Sequence, residues 1–170
     1  TVFAGSGAIE INAGDLITGL RTFRDSLYVF CENSIFRLVG NSSADFVLEP
    51  VTTSIGCLDG DTSAEVGGDL IFLAPDGLRS VAGTANIGDV DLALLSRNIQ
   101  PLVRTTINAN ADTFSGFPIR QKSQYRLLVN DSDITDENAQ GFIGKLETME
   151  QGTGYAWSTT AGISAYCADS

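Results

Sequence analysis

Histidine is absent from this 170-residue chain, methionine and tryptophan occur once each, and lysine and arginine together number only ten. Without His, a Ser-His-Asp or Cys-His nucleophilic site is impossible in this segment, and so is a zinc site with His ligands. Ten basic against 21 acidic residues leave a net charge of −11, which argues against a surface that grips nucleic-acid phosphates or anionic lipid. A surface that DNA slides past is compatible with that charge. Cys31, Cys57 and Cys167 are an odd set without C-x-x-C spacing. They read first as small buried hydrophobes of a reducing compartment, and second as a disulfide or metal pair. No apolar run approaches a membrane span, and no signal-peptide pattern is visible. The first residue is Thr1 rather than Met, and the last residues run into a strand-like pattern at Ile163–Cys167. Both ends read as cut, so a piece of a longer chain is expected.

What is present points to a folded, turn-rich protein. The hydrophobic fraction is 43% and the charged fraction 18%, too apolar for a disordered chain and enough for one core, or for a few repeats that share one. The 18 glycines fall at turns rather than in tracts. The most informative feature is internal similarity: residues 23–40 read FRDSLYVFCENSIFRLVG and residues 66–83 read VGGDLIFLAPDGLRSVAG, an offset of 43. Under it Leu27 falls on Leu70, Phe30 on Leu73, Ile35 on Leu78, Leu38 on Val81 and Gly40 on Gly83. Each copy reads as strand, short turn, strand. The runs Leu27–Phe30 and Leu70–Leu73 are continuously apolar, as strands buried on both faces are. Pro75-Asp76-Gly77 supplies a fixed φ, a side-chain acceptor and tolerance of positive φ, and Glu32-Asn33-Ser34 stands in its place in the first copy.

Flanking strands complete each unit: Ile17–Phe23 before the first hairpin, Phe46–Val51 after it, and Thr62–Val66 before the second. A looser third unit carries Tyr125–Val129, Gly141–Leu146 and Gly154–Ser158. About four strands per unit, at a period in the low forties, is the pattern of propeller blades. The expectation is an all-β, β-propeller-like chain with units at residues 14–56, 57–105 and 106–160. A β-sandwich with similar hairpins is the alternative. A closed propeller takes roughly four to eight blades, so closure is expected to need residues outside this segment. One stretch breaks the strand pattern. Over Asp89–Gln100 the apolar Leu92, Leu95 and Ile99 fall at helical spacing, with Asp89 or Asp91 to cap the start and Pro101 to stop the end. A short inserted helix is expected there.

Residues that usually carry chemistry give weaker signals. The Gly-His and Trp-Asp pairs of a WD40 array are missing, and the single Trp157 cannot supply one per blade. Gly67-Gly68 is similar to a kelch diglycine but occurs once and reads as a turn. There is no Ser-x-Asp-x-Gly-x-Thr-Trp box of the sialidase kind. Asp131-Ser132-Asp133-Ile134-Thr135-Asp136-Glu137 clusters oxygens as hard cations require. Its sixth position is Asp136 instead of Gly and its twelfth is Phe142 instead of Glu, so a solvated acidic loop is the plainer reading and cation binding the alternative. Asp59-Gly60-Asp61 reads as a turn. Gly5-Ser6-Gly7 and Gly152-Thr153-Gly154 precede no strand-to-helix turn and do not resemble phosphate loops. Paired carboxylates can do acid–base work, but sequence does not say which of the 21 acids converge. No catalytic, cofactor-binding or metal-binding residue is assigned, no cofactor is expected, and the chain is read as not an enzyme.

The run from Gly14 to Val103, with GDLITGLRTFRDSLYVFCENSIFRLVG, FVLEPVTTSIGC, GGDLIFLAPDGLRSV and LSRNIQPLV, resembles proteins encoded in tail-gene regions of tailed phages. Among them it is most similar to the podovirus tail tubular protein B, or tail nozzle, family. The resemblance covers a little over half the chain and consists of strand-and-turn pattern. It implies a mostly β protein containing a propeller, assembled as a homo-oligomeric ring around the DNA exit channel of the virion. It also implies adaptor, portal and other tail proteins as partners, DNA passing without sequence-specific binding, and assembly of the phage tail in the host cytoplasm. An acidic channel wall would agree with the net charge. Two other classes stay open. One is a propeller scaffold for protein interactions, which would lack ring symmetry. The other is a secreted carbohydrate-active propeller, which would need converging carboxylates and aromatic platforms.

Overall fold

The computed structural model describes residues 10–42, 44–82, 94–109, 114–130, 140–149, 152–163 and 165. Within them the chain builds three antiparallel sheets and one short α-helix. The first sheet runs β1 (Ile17–Phe23), β2 (Ser26–Cys31), β3 (Ile35–Val39), β4 (Val47–Thr52). The second runs β5 (Ala64–Val66), β6 (Asp69–Ala74), β7 (Gly77–Ser80), and Leu94 adds a single antiparallel bridge to Arg79 at its edge. The third runs β8 (Phe114–Ile119), β9 (Gln124–Val129), β10 (Gln140–Met149), β11 (Gly152–Ala161). Each strand pairs with its neighbours in the chain, as short connections dictate.

The internal repeat is carried into hydrogen-bond register. Arg21 faces Tyr28, Thr22 faces Leu27 and Phe23 faces Ser26 in the first sheet. In the second, Ala64 faces Ile71, Glu65 faces Leu70 and Val66 faces Asp69, every position displaced by the same 43 residues. The following hairpins agree too: Phe30 opposite Ile35 becomes Leu73 opposite Leu78. Two-residue turns set this register. Arg24 and Asp25 both take positive φ (46° and 60°), and so do Gly67 and Gly68 (63° and 78°) in the equivalent place. Positive φ at both central residues is the twist-matched hairpin turn. Glycine adopts it freely, whereas Arg24 and Asp25 hold it against the Cβ penalty. The Arg24 guanidinium donates to Gly68 O and lies 5.0 Å over the Phe23 ring, which ties the two turns together.

Alternation along the strands stacks the sheets face to face. Tyr28, Phe30 and Ile35 of the first sheet pack on Leu70, Phe72 and Ala74 of the second and on Val81, which follows β7. The Phe30 and Phe72 rings meet at 5.4 Å between centroids, tilted by 49°. The opposite face of the second sheet, with Ile71, Leu73 and Leu78, packs on Phe114, Tyr125, Leu127, Val129 and Phe142 of the third. Strand β6 thus sends successive side chains into two different cores, which is why its sequence is apolar at every step. Arg79, opposite Phe72 and 1% exposed, is held in a two-point contact with the Asp76 carboxylate in the β6–β7 turn.

Several sequence expectations are refined or corrected. Strand β1 has the expected bounds, and β2, β3, β6, β7 and β9 follow their apolar runs. The expected all-β character is found, as three antiparallel sheets and one short helix, and no sheet closes on itself among the described residues. The expected strand Thr62–Val66 begins only at Ala64, because Gly60–Thr62 form a 3-10 turn. Strand β8 was not foreseen. The helix expected over Asp89–Gln100 and stopped by Pro101 is corrected: residues 89–93 lie outside the described residues, Arg97–Ile99 make one 3-10 turn, and the α-helix α1 spans Gln100–Ala109. Pro101 sits in its first turn, where the missing N–H has no intrahelical acceptor to lose and the fixed φ suits a helix start. The proline opens the helix instead of ending it. The acidic stretch Asp131–Glu137, Gly5-Ser6-Gly7, Cys167 and Gly83 lie outside the described residues.

Candidate functional site

The segment from Cys57 to Ser63 joins the first sheet to the second and touches all three. Asp59 caps its 3-10 turn, accepting from the Asp61 amide at 2.9 Å. The other carboxylate oxygen of Asp59 accepts from the Phe114 amide of β8 at 3.1 Å. Thr62 is bound at both its oxygens: its hydroxyl donates to Asp59 O at 2.6 Å and accepts from the Leu73 amide of β6 at 3.1 Å, and its carbonyl accepts from the Tyr125 hydroxyl of β9 at 2.7 Å. Backbones approach closely here. A Cβ on Gly19 of β1 would stand 2.6 Å from Gly60 Cα, and one on Gly116 of β8 would stand 2.4 Å from Thr62 O. Only glycine fits at either place.

The titratable groups of this junction are set for structure. Burial pushes the Cys57 thiol up to about 11, and its Sγ donates to Asp59 O at 3.1 Å. Burial likewise pushes the Tyr125 phenol well above its ordinary value. Both groups stay protonated near neutrality and act as donors, the opposite of an activated nucleophile. Cys31 is a second buried free thiol, also raised by burial. The Asp59-Gly60-Asp61 turn expected from sequence is the capped turn of this junction. Gly67-Gly68 is a hairpin turn, and Gly152-Thr153-Gly154 lies in β11.

Beside the junction, β1, β5 and β8, the first strands of the three sheets, share an open groove of ≈ 540 Å³. Arg21 and Arg120 supply positive charge to it, Asp61 and Glu65 negative charge, and Ser63 lies on its floor. The Arg21 Nε donates to Ser63 Oγ at 3.0 Å. Among the described residues no ion pair joins either arginine to Asp61 or Glu65. The groove is therefore a charge-balanced polar wall. Among the described residues no three His, Cys, Asp or Glu side chains gather in a way that could hold a metal ion, and no helix is long and apolar enough to cross a membrane.

Sequence reasoning treated Asp59-Gly60-Asp61 as a turn and Thr62 and Ser63 as the start of a strand, and did not see that the stretch joins three sheets. The local signal was a cap residue, Asp59, followed by small hydroxyl residues. The partners, Phe114 and Tyr125, lie 55 and 63 residues further on, and nothing local announces them. The chain matches no protein-family model, and no curated protein matches it.

Proposed function

We propose that this chain is a structural, non-catalytic part of a phage tail of the nozzle type, one segment of a homo-oligomeric ring through which DNA leaves the virion. On this reading the three sheets are successive blades of a β-propeller-like arc, with units at residues 14–56, 57–105 and 106–160. The observation that carries it is the stack itself. Three chain-ordered antiparallel sheets pack face to face, with the pairing register of the first repeated in the second at 43 residues and the first strand of each sheet on one groove. The strand-and-turn resemblance to tail nozzle proteins supplies the biological setting, with portal, adaptor and other tail proteins as neighbours.

A conduit has to avoid holding its cargo. A wall of clustered cations would bind phosphate at every step and release counterions as it did so, giving tight, salt-sensitive adhesion. The groove instead balances two arginines with two carboxylates, and the whole chain is acidic at −11. The test has two arms. Tail particles imaged with a tag on this protein should carry it as a symmetric ring, and the purified protein should leave free duplex DNA unbound at physiological salt. Tight binding that collapses with added salt, or a strictly monomeric protein in the tail preparation, overturns the proposal. Asp61 and Glu65 on one groove are the feature that a carbohydrate-active propeller would use, so glycan hydrolysis lost in Glu65→Gln would replace the conduit reading.

A further inference from the structure

Between the second and third sheets the apolar core opens to the surface in a groove of ≈ 390 Å³. Ile71, Leu94, Leu95 and Leu146 line its walls, and Asp69 and Tyr155 supply its polar part. Asp69 opens strand β6, facing Val66 across the hairpin turn that Gly67 and Gly68 close at positive φ. Tyr155 comes from β11, opposite Leu146 of β10. Its ring stacks on Trp157, with centroids 5.7 Å apart, and the Trp157 indole N–H donates to Leu95 O at 2.9 Å. The two walls are thus tied together by the aromatic pair.

Two polar groups in this groove have capacity to spare. One carboxylate oxygen of Asp69 accepts from the Leu70 and Ala82 amides, at 2.8 and 3.1 Å. Among the described residues the other oxygen and the Tyr155 hydroxyl have no hydrogen-bond partner, and no ion pair reaches Asp69. Arg24, at the neighbouring turn, is engaged with Gly68 O and the Phe23 ring. All ten lysines and arginines of the chain fall among the described residues, and none of them lines the groove. Burial first, and the Asp69 charge second, push the Tyr155 phenol up to about 12, so near neutrality its hydroxyl is intact. A carboxylate at an apolar recess without a cation of its own chain is one half of a pair that a ligand completes.

We propose that this groove binds a small organic cation, a primary ammonium on an apolar body. The body packs against Ile71, Leu94, Leu95 and Leu146, and the ammonium, with three donors, reaches Asp69 and the Tyr155 oxygen. The volume falls in the range of small-ligand sites, roughly 300–1,000 Å³. A bare metal cation would want more oxygens than these walls offer. The site requires neither a ring nor DNA, so it stands apart from the conduit reading.

The only tryptophan of the chain is a built-in reporter, since Trp157 stacks on Tyr155. Hexylamine titrated into the purified protein near neutral pH should change its fluorescence saturably. Hexan-1-ol, the uncharged counterpart, should bind about tenfold more weakly or worse. Asp69→Asn keeps an acceptor for the two amides and removes the charge, and should bring hexylamine down to the level of the alcohol. Tyr155→Phe keeps the ring, and should weaken hexylamine by about threefold while leaving the alcohol unchanged. Circular dichroism checks that both variants are folded. No saturable response to hexylamine, equal binding of the alcohol, or amine binding that survives both substitutions overturns the proposal. A lysine-containing peptide that binds more tightly than hexylamine also overturns it, by giving the groove to a partner's side chain.

Discussion

Phe30 and Phe72 occupy the middle of the seam between the first two sheets, each 0% exposed and each in ring contact with the other. Truncating either to alanine removes its buried surface and leaves a cavity between two rigid sheets, so Phe30→Ala or Phe72→Ala should cost roughly 3–5 kcal/mol. Thermal or denaturant unfolding of the whole chain reads this directly, and a loss well under about 1 kcal/mol would place the ring in a site that collapses freely. The turn residues invite the opposite experiment. Asp25 holds φ at 60° where the second copy uses Gly68, so Asp25→Gly should stabilise by about 0.5–1 kcal/mol, the relieved Cβ strain less the entropy of glycine. Gly67→Ala should destabilise, since its Cβ would stand 2.5 Å from Leu146 Cδ2 at a φ of +63°. Asp15 gives a pH handle. The Ser34 hydroxyl and the Asn33 amide hydrogen-bond its carboxylate, at 2.7 and 2.9 Å, and lower its pKa from the ordinary 3.8. A depressed folded pKa means that the contribution is fully present above 3.8 and is lost as pH falls through the folded value. Acid titration followed at the Asn33 amide by NMR should therefore give a midpoint below that of a free aspartate, and Asp15→Asn should abolish the transition.

Among the connecting elements the Cys57–Ser63 segment matters most, because one short stretch holds the first strands of three sheets together. Tyr125→Phe keeps the ring and removes the bond to Thr62 O, leaving a buried carbonyl short of its donor, at a cost of roughly 1–3 kcal/mol. An unchanged stability would mean that water reaches Thr62 O in the variant. What sequence could and could not reveal divides along the same line. The paired hairpins of β2–β3 and β6–β7 were legible because an apolar run, a turn and a second run are all local, and because the chain states them twice. Strand β8 was illegible: Phe114-Ser115-Gly116-Phe117-Pro118-Ile119 carries Gly and Pro, which lower strand propensity, and its place is fixed by Thr62 O and Asp59 reaching it from the junction between the other two sheets. Pro101 was read with the wrong sign, since proline ends a helix behind it and begins one ahead of it, and periodicity alone does not say on which side the helix lies. The groove follows from which strands come first in each sheet and has no sequence signature of its own.

At the scale of the molecule the architecture is a layered one in which the central strand of the middle sheet, β6, is covered on both faces. The second sheet has three described strands, the fewest of the three, yet β6 contributes Leu70, Ile71, Phe72, Leu73 and Ala74, all 0% exposed, to two separate cores. That has a consequence in time. During synthesis β6 follows the first sheet and can dock on it at once, but most partners of its other face, from Phe114 to Phe142, are made only after α1. A nascent chain halted between α1 and β8 would therefore cover Ile71, Leu73 and Leu78 only with Val103 and the flanking Leu95, Ile99 and Ile107, and should sediment with chaperones or aggregate, whereas one halted after β10 should not. In the finished protein the same geometry makes β6 the last strand to open. Its amides should exchange with deuterium only through global unfolding, while those of β1 and β4, at the edges of the first sheet, exchange through local opening well before. Equal protection across all three strands would mean that the sheets separate as one cooperative body, with the middle one no more sheltered than its neighbours.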